Sequence, residues 1–185
     1  METPETTRQE IGSRGLSPAL MAGLAIALIV AVLLVYAVVA GPVEPPQTGG
    51  PVPDFAFTAL DGSSMDLGAH LGEVVVVNFF ASWCDPCRQE AAALEQVWRA
   101  YQGQGVQFYG IAYKDADSKA RAFLDEFGVS YPSTVDATNR AARDYGVTGV
   151  PETFVVDREG LLVHHFLGPI TQAQLAQEIE QALNR

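Results

Sequence analysis

The longest unbroken apolar stretch of the chain runs from Ala19 to Ala40, 22 residues without a charge and rich in Leu, Val, Ile and Ala. As a helix rising about 1.5 Å per residue it would reach roughly 33 Å, enough to cross a hydrocarbon layer about 30 Å thick. The pattern predicts a transmembrane signal-anchor helix over 19–40, preceded by a short segment, 1–18. A cleaved signal peptide is the rival reading, with Val38-Val39-Ala40 before the cut, but the run is longer than an ordinary signal core. Arg8 and Arg14 precede the run, and no Lys or Arg follows until Arg88. Basic residues remain on the cytoplasmic side of a span. The N-terminus is therefore expected in the cytoplasm and everything after Gly41 outside, on the periplasmic or extracytoplasmic side of the inner membrane.

Residues 41–53 hold five of the eleven prolines and three glycines without apolar periodicity, which predicts an extended, semi-rigid linker. The remainder, 54–185, is the size of one domain able to bury a core. Phe55-Ala-Phe57 and the turn at Asp61-Gly62 suggest a short hairpin. Glu73–Phe80 reads as a strand buried on both faces, because Val74–Val77 is continuously apolar and β-branched. Pro86 can open a helix, where its missing N–H goes unneeded. Leu94, Val97, Trp98 and Tyr101 then recur at spacings of three and four along one face. Val106–Tyr113 is the next strand, Lys119–Phe127 a helix stopped by Gly128, and Asn139–Tyr145 a helical turn. Thr153–Asp157 and Leu161–Leu167 form a hairpin around Glu159-Gly160. Thr171 caps a last helix through Leu183, with Leu175, Ile179 and Leu183 on its apolar face. The order is β-α-β-α-β-β-α.

Two cysteines, Cys84 and Cys87, are the only ones in the chain, and they stand where the first long strand gives way to a helix. Two thiols separated by two residues at such a junction suit reversible disulfide chemistry, since a helix N-terminus stabilises a thiolate. A bridge over so short a loop constrains little chain entropy, so its role is chemical rather than structural. Zinc would need about four ligands, and His70, His164 and His165 are all distant in sequence. The formal charge of −11 and the lack of any basic run argue against nucleic acid. The pattern calls for no cofactor.

Asn78-Phe-Phe-Ala-Ser-Trp-Cys-Asp-Pro-Cys87 closely resembles the active-site signature of the thioredoxin fold, an α/β architecture with a central mixed sheet flanked by helices. Arg88-Gln89-Glu90, Gly110-Ile-Ala-Tyr-Lys-Asp115, Gly146-Val-Thr-Gly-Val-Pro-Glu-Thr-Phe154 and His164-His-Phe-Leu-Gly-Pro-Ile-Thr171 narrow the match. With the single N-terminal span, they resemble the CcmG/DsbE group of membrane-anchored thiol:disulfide oxidoreductases of cytochrome c maturation. The ResA and TlpA groups share much of the pattern. The resemblance implies apocytochrome c or a haem-ligation assembly protein as the partner, and a membrane electron carrier as the reductant. Three alternatives stand beside it: an anchored reductase with other targets, a peroxidase of the same fold, and a Cu(I)-binding assembly chaperone.

On this reading Cys84 is the attacking thiol and Cys87 the more buried, resolving one. Trp83 is expected to pack beside the disulfide. Asp85, Glu90 and Glu152 are expected as an acidic surround that favours thiol over thiolate, with Glu90, or failing it Glu152, as a proton partner of Cys87. Asn78 stands where thioredoxins commonly carry a buried aspartate, and it cannot accept that proton. Pro151 matches the cis-proline of the fold and would bring Val150 to the cysteines, where a substrate segment could pair like an added strand. His164 and His165 alternate on a strand, so at most one faces any given pocket. Tyr113, Lys114 and Asp115 lie at the carboxyl end of a central strand, the edge where sites cluster, with no assigned step.

Overall fold

The computed structural model describes residues 18–39 and 45–185. The chain divides into two compact units, Met1–Pro42 and Val43–Arg185. In the first, α1 (Pro18–Val39) is 22 residues long, without an acidic residue in its first turn or a basic one in its last. It is apolar all round, with Leu20, Leu24, Leu28 and Leu34 all exposed. A helix with no polar face matches a lipid surround, and its length and composition are compatible with a membrane anchor.

The second unit is built on a five-stranded mixed sheet. Its strands are β3 (Val74–Phe80), β4 (Val106–Ala112), β5 (Ser133–Val135), β6 (Glu152–Val156) and β7 (Leu162–Leu167), in the order β5-β4-β3-β6-β7. β3 runs parallel to β4 on one side and antiparallel to β6 on the other. Around it stand the hairpin β1 (Ala56–Thr58) and β2 (Ser64–Asp66), a single 3-10 turn (Gly68–His70), and the helices α2 (Asp85–Tyr101), α3 (Asp117–Phe127), α4 (Arg140–Asp144) and α5 (Gln172–Leu183). This is the thioredoxin-like fold that the motifs imply.

Side chains alternate across a strand, and in β3 the alternation sorts the core. Val74 and Val76 pack with Leu94 and Val97 of α2 and Leu175 and Ile179 of α5. Val75, Val77 and Phe79 face the other way, onto the β1–β2 hairpin, α4 and Tyr145. A third cluster of Phe80, Ala81, Ala112, Phe123 and both cysteines closes the carboxyl end of the sheet. Every residue of β3 is buried, which explains the unbroken apolar run. Gly110 of β4 has no room for a Cβ beside the Ser133 side chain, its partner in β5.

Two expectations need correction. The strand β5 lies between Pro132 and Asp136 and escaped the periodicity, since three residues carry too little pattern to register. The linker expected over 41–53 is folded onto the domain for much of its length. The Gly49 N–H donates to the Leu162 carbonyl, the Leu162 N–H to the Gly50 carbonyl, and the Val52 N–H to the Gly160 carbonyl, so the segment pairs with the first residue of β7 and the turn before it. Its prolines and glycines fit a strand edge as well as a free tether. Residues 41–44 lie outside the described residues, as do 1–17 and Ala40, the last residue of the expected span.

Candidate functional site

Cys84 and Cys87 form a disulfide at the start of α2. Cys84 is the N-cap, in extended conformation, and the Cys87 N–H donates to its sulfur at 3.1 Å. Pro86 occupies the first turn, where no N–H is required. Both cysteines are buried, Cys87 the more so, while Asp85 and Pro86 are exposed. The N-cap geometry places one sulfur against an unpaired helix N–H and the positive end of the helix, the arrangement that favours a thiolate at Cys84 on reduction.

The Val150–Pro151 peptide is cis. Cys84 Sγ lies 3.4 Å from the Val150 carbonyl oxygen; in the disulfide this is a contact, and on reduction the thiol has an acceptor there. Val150 thus comes beside the cysteines, as expected. Trp83 is 58% exposed, and its indole N–H donates to the Lys114 carbonyl at 3.2 Å. Arg88 pairs with Glu126 of α3 and covers the Phe127 ring, so its charge ties the two helices together.

Glu90 is 2% exposed. One turn after Cys87 on the buried side of α2, it accepts from Asn78 Nδ2 at 3.0 Å and from the Ile170 N–H at 2.9 Å. Burial pushes its carboxyl up to about 7, against the pull of those two hydrogen bonds. Asn78 also donates to Thr153 Oγ1 at 2.9 Å, so it serves side chains rather than backbone groups. Both contacts follow from strand parity. Asn78 lies on the α2 face of β3, and Thr153 is its partner in β6.

The same parity overturns the expected acidic surround. Glu152 pairs with Phe79, one residue along, and so points to the opposite face of the sheet from Glu90. It is 3% exposed, neither a rim residue nor an outward strand residue. One of its oxygens accepts from the Thr148 and Gly149 N–H groups at 2.9 and 3.0 Å, and the other from His165 Nε2 at 2.8 Å. Glu152 therefore holds the loop that leads into Val150–Pro151. His165 stacks on Phe154 on that face, whereas His164 approaches Glu178 of α5 on the other. Of the expected acids, only Asp85 and Glu90 remain on the cysteine side.

Four contacts were not legible as chemistry in the sequence: Ile170 on Glu90, Thr153 on Asn78, His165 on Glu152, and Asp115 on Ser82. Asp115 accepts from the Ser82 N–H at 2.6 Å and from the Ser82 hydroxyl at 3.0 Å. Its position at a strand's carboxyl end was the available signal. Among the described residues, no group of three or more His, Cys, Asp and Glu side chains could hold a metal ion.

A family model described as AhpC/TSA matches residues 48–165. The thiol:disulfide interchange protein DsbE of Allochromatium vinosum is 38% identical over 167 residues, covering 88% of this chain and 91% of the relative. The chain is a thiol:disulfide oxidoreductase of the AhpC/TSA family. The thiol-disulfide oxidoreductase ResA of Bacillus thuringiensis is also similar to it, 29% identical over 132 residues, with 71% of this chain and 76% of ResA covered. Among solved structures, a thiol:disulfide interchange protein of the thioredoxin family from Chlorobium tepidum superposes with a TM-score of 0.68 at 28% identity. It matches 76% of this chain and 99% of that one. The oxidoreductase thus carries its disulfide, at the start of α2, on a thioredoxin-like sheet shared with that structure.

Proposed function

We propose that the oxidoreductase is a membrane-anchored, extracytoplasmic reductase that opens disulfides of apocytochrome c, or of a haem-ligation assembly protein, during c-type cytochrome biogenesis. The observation that carries this reading is the alignment with DsbE. It covers 88% of the chain, more than the domain from Pro45 onward alone supplies, so it reaches into the N-terminal unit that holds α1. Arg8 and Arg14 before α1 support a cytoplasmic N-terminus and an outward-facing domain.

In the reduced protein, the Cys84 thiolate attacks one sulfur of the target disulfide. A mixed disulfide forms, and the other target sulfur leaves as thiolate and takes a proton. Cys87, deprotonated, then attacks Cys84 Sγ, restoring the Cys84–Cys87 bond and releasing the second target thiol. Two electrons pass to the target, and a membrane electron carrier returns them. Glu90 is the proton acceptor for Cys87. It lies on the same side of α2, and a carboxyl near 7 is half ionised at neutral pH, poised to take a proton. The Val150 carbonyl, beside Cys84, receives the backbone of the target segment.

Replacing Cys87 by Ala in the anchored protein removes the resolving thiol and leaves the target disulfide-linked to Cys84. Recovery of apocytochrome c or a haem-attachment protein is the expected result. Recovery of many unrelated exported proteins would instead make this a general reductase.

A further inference from the structure

We propose that Asp115 is a positioning residue for the redox loop, fixing through Ser82 where Cys84 stands against the start of α2. The chain between β3 and α2 is four residues long, from Ala81 to Cys84, and turns tightly, with the Cys84 N–H donating to the Ala81 carbonyl. Both donors of Ser82, its N–H and its hydroxyl, go to the Asp115 carboxylate. The indole N–H of the next residue, Trp83, goes to the carbonyl of Lys114. The two residues before the attacking cysteine are thus held by one corner, the turn between β4 and α3.

That corner is shaped for the purpose. The Tyr113 N–H donates to the Phe80 carbonyl, which extends the β3–β4 pairing one residue past β4. Lys114 then adopts φ 48°, a left-handed conformation that a lysine takes at some cost in strain. Its side chain lies over the Tyr113 ring, 4.5 Å from the centroid. The reversal aims a carbonyl and a carboxylate from consecutive residues at the redox loop. Asp115 stands one residue before the N-cap of α3, yet that helix has no side-chain cap. Apart from the adjacent Ala116 N–H, the carboxylate gives its acceptors to Ser82. An ionised carboxylate accepts at both oxygens, which an amide in its place cannot do.

The consequence falls on Cys84. Its sulfur meets the Cys87 N–H because the loop delivers it to the N-cap position, and a thiolate there is stabilised by that N–H and the helix dipole. Freed from Asp115, the loop would hold the sulfur less firmly at that position, and the thiolate would be less favoured.

The test is the pH profile of Cys84 alkylation in the reduced protein, compared among wild type, D115A and D115N. Positioning predicts that the D115A midpoint moves to higher pH, with an alkylation rate at pH 7 about tenfold lower. D115N, which keeps one acceptor oxygen, should recover part of that loss. A carboxylate acting only through its charge gives the opposite sign, because its removal would favour the thiolate and move the midpoint down. A D115A profile that is unchanged, or shifted to lower pH, overturns the proposal. Should D115A fail to fold, S82A removes the hydroxyl bond alone and should shift the profile upward by a smaller amount. Wild-type profiles in S82A and D115N together would overturn the proposal equally.

Discussion

Glu90 carries the strongest expectation at the level of single residues. A carboxyl raised to about 7 by burial holds its proton in the folded protein over a range where the unfolded chain, near 4.5, has lost it. Folding therefore takes up a proton between those values, and stability falls as pH rises from about 4.5 through 7. The full penalty, about 3 kcal/mol from the shift, applies above that window and is absent below it. Glu90→Gln should flatten this dependence: urea unfolding of the oxidised protein at pH 5 and pH 8 should differ markedly in wild type and little in the variant. The same substitution removes the proton acceptor proposed for Cys87, so it should slow release of the mixed disulfide more than its formation. Stopped-flow measurement of the two steps separates them. The sequence made Glu90 visible as a carboxylate one turn from Cys87, but not the depth of its burial. That depth comes from the loop before α5, whose Ile170 N–H arrives from 80 residues away.

Among the elements, the long periodic ones were legible, as were the hairpins and the helical turn of α4, and the three-residue β5 was not. β3, α2, β4 and α5 were read close to their observed bounds because each carries several apolar positions at one period. The Thr171 cap was also legible, and in the structure it forms a full capping box with Gln174. Thr171→Ala should cost about 1 kcal/mol, measurable as a fall in the unfolding midpoint. Leu94 joins α2 to the sheet and α5. Leu94→Ala should cost about 2–5 kcal/mol by leaving a cavity, with a loss of stability far exceeding any change in the chemistry of the disulfide. The face of Glu152 was hidden for a different reason. The residue after a cis-proline has no periodic neighbours on its N-terminal side to set its parity; only pairing with Phe79 reveals it.

For the whole molecule, the proposed anchor and the domain are expected to be separable. A chain beginning at Pro45 should leave the membrane fraction and retain disulfide-reductase activity in solution. A chain beginning at Asp54 loses three backbone hydrogen bonds to the edge of β7 and the loop before it. At about 1 kcal/mol each, that loss should lower the thermal midpoint measurably while leaving α2 and the cysteines intact. Composition could not show this docking, because prolines and glycines look alike whether they lie along a strand or hang free. The alternation along β3 has a reach beyond packing. Asn78 and Phe79 are adjacent, yet each addresses a separate compartment, one admitting a single carboxylate behind the resolving thiol and the other a single carboxylate beneath the cis-proline loop. One extra residue between Pro151 and Glu152 would exchange the two addresses, setting a second acid beside Glu90 and leaving the loop without its anchor. The start of β6 thus obeys an odd–even rule: what matters there is whether the count of residues after Pro151 is kept in step with β3.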